Sequence, residues 1–299
     1  MSSQPVLVAV MGPTASGKTE LAARLADRLE AQLISADAFQ AYRGMDIGTA
    51  KPDARDRYLL LDLKNPDEGY GVGEFCRLAQ AELSRLWEQR RSAVVVGGTG
   101  LYIRALFEQY ATLNDHPNPL LRQELQNRLA AEGLQSLVEQ LRQIAPEEVR
   151  RVDIRNPVRV TRALERAIEG NPPMQLQLPP FQRTKLGLFL DSQELGRRIE
   201  VRARAMVQNG WVEEVRQLLA TGYGPGDPGF RAIGYAELAH CLTQKSDLEE
   251  AIATTIAETR RYAKRQRTWL RSEPHLEQLN PADNGVFEDA LDIVRRELQ

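Results

Sequence analysis

Residues 6–19 read Val6-Leu7-Val8-Ala9-Val10-Met11-Gly12-Pro13-Thr14-Ala15-Ser16-Gly17-Lys18-Thr19. The five apolar or small residues Val6–Val10 are too few to span a membrane and stop at a turn, which predicts a buried strand. After Thr19 the chain continues as ELAARLADRLE, with Leu21, Leu25 and Leu29 at helical spacing. Strand, glycine loop and helix in this order fit GxxxxGK[ST], in which inward-turned backbone N–H groups and a helix N-terminus form an anion nest. Lys18 adds a point charge and the Thr19 hydroxyl is placed for Mg²⁺. A phosphate or diphosphate is the expected guest.

Working outward, Leu33 and Ile34 form a second short apolar run that delivers Asp37 at its C-terminal end, the edge where open parallel sheets bind ligands. Residues 38–52, with Gly44, Gly48 and Pro52, read as a functional loop in which Lys51 reaches an anion. A further strand is expected over Leu59–Leu63, and a helix over Glu74–Arg90 with Phe75, Leu78, Leu83, Leu86 and Trp87 facing the core. Ala93–Val96 form another buried strand that opens into Gly97-Gly98-Thr99-Gly100. Nucleotide-hydrolysing relatives of this motif hold Mg²⁺ with an Asp at such a strand end, and none stands here, which counts against an ATPase. Thr99 reads equally as a donor near the phosphates and as a helix N-cap.

From Asn114 to about Gly170 the pattern is helical, with stripes at Leu121, Leu125 and Leu129 and at Leu134, Leu137, Val138, Leu141 and Ile144. Arg159, Arg162 and Arg166 form a basic stripe, read equally as a solvated face and as a phosphate contact. NPPMQLQLPPFQ (171–182) is a return linker, and Leu186–Leu190 a core strand. Helices follow over 194–209 and 211–220, then a Gly/Pro-rich loop ending at Arg231. A long helix over 248–271 carries Arg260, Lys264, Arg267 and Arg271 on one face, and a short strand and closing helix end the pattern. The fold class expected is α/β, a P-loop NTPase-like parallel sheet flanked by helices with an inserted all-helical subdomain. Its bounds are 1–114 and 183–299 for the core and 115–182 for the insertion.

With 299 residues, 42% of them hydrophobic, the chain can bury a large core. A net charge of −2 excludes a uniformly basic nucleic-acid coat while leaving local patches possible. Cys76 and Cys241 show neither disulfide nor zinc spacing. No run resembles a signal peptide or membrane span, so a cytoplasmic protein is expected.

In these pieces the sequence resembles the tRNA dimethylallyltransferase family over nearly its whole length. The likeness lies in GPTASGKT (12–19), the SAD to GTAKP segment (35–52), VVGGTGLY (95–102), NPVRVTRALE (156–165), FRAIGY (230–235) and TRRYAKRQRTWLR (259–271). It implies a prenyltransferase that moves a dimethylallyl group from dimethylallyl diphosphate to N6 of the adenosine beside the anticodon, as a monomer requiring Mg²⁺ and no membrane. It assigns the diphosphate to Gly12, Pro13, Thr14, Ala15, Ser16, Gly17, Lys18 and Thr19, the metal to Thr19, a second diphosphate contact to Arg231, and the general base to Asp37. Positions matching tRNA contacts are Asp37, Ala38, Phe39 and Gln40, with Gln40 reading the base edge. Thr99, Arg122, Val158, Arg159, Val160, Thr161 and Arg162 match too, as do Arg231, Ala232, Ile233, Gly234, Tyr235 and Ala236. The chain departs from the family pattern at Ala38, where Ser is usual, and around Arg57–Leu60, which lacks a His pair. No Cys/His finger follows the core, as in the compact bacterial form. Against this stand a small-molecule kinase, an adenylate isopentenyltransferase and an RNA-binding module with a nucleotide-sensing loop. The helical insertion and basic faces count against the first two and Asp37 against the third.

Overall fold

The structure is a computed structural model that describes residues 4–110, 118–170, 176–244 and 246–296. Its centre is strand β1 (Val6–Met11), buried along its whole length because it lies between two other buried strands, β4 (Ala93–Gly97) and β5 (Gln182–Leu188). Outside β4 lie β2 (Gln32–Ser35) and the two-residue β3 (Tyr58–Leu59), and outside β5 lies β6 (Leu276–Leu279). The sheet order is β3-β2-β4-β1-β5-β6, parallel throughout. A parallel sheet covered on both faces reads as continuous Val/Ile/Leu runs, which is how β1 and β4 could be found from sequence.

Between the strands run α1 (Lys18–Leu29), α2 (Val72–Glu88) and α3 (Gly100–Phe107). After β5 come α8 (Ser192–Gln208), α9 (Trp211–Ala220), α10 (Tyr235–Gln244), α11 (Leu248–Arg271) and α12 (Val286–Arg296). Leu21 and Leu25 of α1 join Val8, Val10, Leu33, Val94 and Leu186 in one core, which fixes the glycine loop between β1 and α1 at the C-terminal edge of the sheet. A second core gathers Tyr42, Met45, Trp211, Val215, Phe230 and Tyr235, and so anchors the 38–52 loop from beneath.

Two compact units result, Met1–Gln109 with Gln177–Gln299, and Tyr110–Leu176. Residue 114, expected to end the core, lies outside the described residues, as do residues 171–175 of the return linker. Residues 177–182 group with the sheet because Gln182 already pairs with Val6. The second unit contains α4 (Pro119–Glu132), α5 (Leu134–Ile144), α6 (Pro146–Arg151) and α7 (Pro157–Glu169) around Leu125, Leu137, Val138, Leu141, Val160 and Leu164. Asn118 and Asn156 cap α4 and α7 with side-chain oxygens, ahead of prolines at the first helical position. Ile144, expected on the buried stripe, is 46% exposed because α5 ends there.

The expected strand over Leu59–Leu63 is cut to two residues. Leu60 and Asp62 adopt φ of 65° and 52°, which no ladder accommodates, and Asp62 is turned toward Lys51 instead.

Candidate active site

The glycine loop turns at Ala15 (φ 63°) and Gly17 (φ 87°). Gly12 serves another purpose, since a Cβ there would lie 2.5 Å from Ser16 Oγ and 3.2 Å from Leu188 Cβ. Gly17 caps α1 without a side-chain bond, so the first N–H groups of the helix are left for a ligand. The Ser16 hydroxyl is buried beneath the loop with no partner among the described residues. Lys18 lies back over the loop, donating to the Pro13 carbonyl at 3.4 Å. Its ammonium is held down to about pKa 8, first by burial and then by the charge of Arg202, against an opposite pull from Asp37.

A cavity of about 340 Å³ opens beside this loop. Lys18 and Thr19 line it from α1, Asp37 from the end of β2, Arg202 from α8, Arg231 from the turn before α10, and Tyr262 and Arg265 from α11. Ile199, Ala203, Met206 and Trp211 supply an apolar wall. Cations, one carboxylate and an apolar wall in one cavity suit a ligand that is anionic at one end and hydrocarbon at the other.

Asp37 is placed by the sheet. Ala36 N–H bonds Val96 O at 2.8 Å, and a carboxylate oxygen of Asp37 accepts from Phe39 N–H at 3.0 Å. The β4 end presses against this segment so closely that a Cβ on Gly97 would lie 2.1 Å from the Ala36 carbonyl oxygen. At position 97 an acid is excluded sterically, since no side chain fits there. Thr99 does not cap its helix. Its hydroxyl oxygen accepts from Ala38 N–H at 3.2 Å, a third tie on the Asp37 segment.

Gln266 joins the two glycine turns, accepting from Thr14 N–H at 2.9 Å and donating to Gly98 O at 2.8 Å. Beside it the Tyr262 phenol is pushed up to about 12 by burial. On the 38–52 loop, Glu214 accepts from the N–H groups of Asp46, Ile47 and Gly48 and from the Tyr235 hydroxyl, at 2.6–3.3 Å. Gln40 donates to the carbonyls of Thr49 and Ala50 and accepts from Ser35 Oγ, so its amide is spent within the loop. Lys51, expected to reach an anion, finds its anions within the loop itself rather than in a ligand. Its buried ammonium donates to Tyr42 O, Asp46 and Asp62, and it is a strut of the loop.

The structure brings together residues 14, 15, 18 and 19 with Asp37, Phe39, Gln40, Arg231, Ala232 and Ile233 around the cavity. Tyr235 is fully buried below it, and Gly234 at φ 98° makes room for the Trp211 indole. In the helical unit Val158 and Arg159 are exposed, whereas Val160 and Thr161 face its core. Helical periodicity thus turns Val158 and Arg159 outward, with Arg162 half-buried between the two faces. Arg122 and Arg162 both pair with the buried Glu165, and Arg166 with Glu148, so the basic stripe is partly neutralised.

Arg202, Gln266 and Glu214 lie outside the sequence expectations. Arg202 carried a faint signal as a cation beside the Leu195–Ile199–Ala203 stripe of α8. Gln266 and Glu214 carried none, because the loops they tie down lie more than 160 residues away in the chain.

For a metal, the described residues contain no group of three or more His, Cys, Asp or Glu. The donor set that remains, the Thr19 hydroxyl at a cavity built for an oxyanion, fits Mg²⁺, which keeps its waters and takes phosphate oxygens with one or two protein ligands. Among the described residues no helix is long and apolar enough to cross a membrane.

A family profile described as IPP transferase matches residues 40–273, and one described as isopentenyl transferase matches residues 5–58. A tRNA dimethylallyltransferase of Gloeobacter violaceus is 40% identical over 282 residues, 92% of each chain. One of Thermomicrobium roseum is 37% identical over 307 residues, covering all of this chain and 93% of its own. Among solved structures, the full-length tRNA isopentenylpyrophosphate transferase of Bacillus halodurans superposes with a TM-score of 0.72 at 35% identity, over 98% of this chain and 96% of that one. A eukaryotic dimethylallyltransferase acting on tRNA superposes at 0.78 over 98% of this chain and 79% of its own; at 22% identity it speaks for the fold alone.

Proposed function

Because the chain belongs to the tRNA dimethylallyltransferase family and thus transfers a dimethylallyl group to tRNA, we propose that the cavity beside residues 12–19 is where that transfer takes place. The observation that carries this assignment is the union of the glycine loop, Lys18, Arg231 and Asp37 around one cavity with an apolar wall. Dimethylallyl diphosphate lies with its diphosphate on the loop amides, Lys18 and Arg231, and its hydrocarbon against Ile199, Ala203 and Met206. Mg²⁺, when bound, neutralises charge on the diphosphate, and Thr19 is the residue that would hold it.

N6 of the adenosine beside the anticodon attacks C1 of the donor. The C1–O bond breaks with carbocation character at C1, the electron pair leaves on the diphosphate, and Asp37 accepts the N6 proton. Electrostatic stabilisation of the departing diphosphate is the largest catalytic contribution, since the site presents its cations without reorganising. The base reaches the cavity by leaving its stack, passing Phe39 and the 38–40 segment. Gln40 acts on it by holding the wall of the channel, its own amide being occupied. The helical unit, through Arg159 and Arg162, and α11, through Lys264, Arg267 and Arg271, grip the RNA by its phosphates, and exposed Val158 gives it an apolar contact. The protein acts in the cytoplasm as a monomer.

Incubation with dimethylallyl diphosphate labelled in the prenyl group, or with ATP labelled in the γ-phosphate, against tRNA and against AMP tests this. Prenyl label entering tRNA alone is expected; phosphoryl transfer from ATP overturns the assignment, and prenyl transfer to AMP moves the acceptor to a free nucleotide.

A further inference from the structure

The cavity holds more positive charge than the reading above employs. Lys18, Arg202, Arg231 and Arg265 converge on it from four separate elements, with Asp37 the one carboxylate lining it among the described residues. Arg202 is the most enclosed of the three arginines and makes no hydrogen bond or ion pair among the described residues, although other arginines of its helix (Arg197, Arg198 and Arg204) are each paired with a glutamate. Its nearest neighbours along the inner face of α8, Ile199, Ala203 and Met206, offer no acceptor. Burial pushes its guanidinium down, and its charge in turn depresses Lys18. One carboxylate, Asp37, pulls on both cations, and two like charges desolvated in one cavity still cost free energy that a ligand of opposite sign offsets.

We infer that Arg202 is a ligand of the donor's diphosphate, meeting the leaving group from α8 as Lys18 meets it from α1 and Arg231 from the turn before α10. The planar guanidinium suits two diphosphate oxygens at once, which an ammonium cannot match. This inference rests on the donor occupying the cavity as proposed above.

The test is calorimetric titration of the full-length wild-type chain, Arg202→Gln and Arg202→Lys with inorganic diphosphate in Mg²⁺, alongside steady-state prenylation of tRNA. Arg202→Gln is expected to weaken diphosphate about 10- to 100-fold and to lower kcat/KM for the donor by a similar factor, with the Kd for tRNA unchanged. Arg202→Lys recovers part of the loss. The alkaline limb of kcat/KM for the donor also moves to higher pH in Arg202→Gln, because Lys18 is freed of a neighbouring charge. Wild-type diphosphate affinity in a folded Arg202→Gln, or in Arg202→Lys should the first variant not fold, overturns the inference while leaving the proposed function intact. A wild-type chain that binds no diphosphate and prenylates no tRNA overturns both.

Discussion

At Asp37 three backbone ties, from Ala36 to Val96, from Ala38 to Thr99 and from Phe39 to the Asp37 carboxylate, fix where the proposed proton acceptor stands. Asp37→Ala is expected to lower kcat by about 10²–10⁴ with tRNA affinity unchanged, read from single-turnover and filter-binding measurements; retained turnover would move the base elsewhere. Lys18 gives a prediction in pH. In the proposed site its ammonium is the form that binds the donor, and its pKa is held down to about 8 from 10.5, so that form is lost as pH rises through about 8. A plot of kcat/KM for the donor should therefore fall on the alkaline side from there, where an ordinary lysine would leave it flat for two further pH units. Lys51 shows what local reading misses. It was legible as a cation in a polar loop, but its anions, Asp46 and Asp62, converge only once that loop has folded. Lys51→Met leaves both carboxylates facing each other and should cost about 2 kcal/mol in urea unfolding, between the limits for exposed and buried pairs.

Helix α11 works on two faces. Tyr262, Arg265 and Gln266 turn toward the cavity and the glycine loop, while Arg260, Lys264, Arg267 and Arg271 line a groove against α8. The basic face was legible from spacing alone, but its strength was not, because Arg260 is paired with Glu200 across the groove. Lys264→Gln with Arg271→Gln should thus weaken tRNA binding and flatten its log–log salt dependence by about 2, with donor kcat/KM untouched. An unchanged slope would return this face to simple solvation. Strand β4 shows the reverse case. Its valines announced a buried strand, yet the reason its last residue is glycine is a carbonyl 61 positions earlier in the chain. Gly97→Ala should cost about 1–3 kcal/mol by forcing that contact apart.

Across the whole molecule, the strands, most helices and the helical insertion were legible because each rests on local periodicity, whereas α10, directly after the turn at Arg231, was not expected. The second core, which joins Met45 to Phe230 and Tyr235, was not, because it rests on the pairing of a loop with helices far along the chain. The cavity belongs wholly to the first unit, whereas Leu141 is fully buried in the second. Leu141→Ala should destabilise the helical unit by about 2–5 kcal/mol and impair use of tRNA, while diphosphate affinity measured by calorimetry stays at the wild-type value. Loss of diphosphate binding in that variant would show that the donor site depends on the insertion. The contact between residue 97 and the Ala36 carbonyl also sets two carboxylates against each other. An acid at position 97 would displace the segment that carries Asp37, so this backbone seats an acid at 37 or at 97 and not at both.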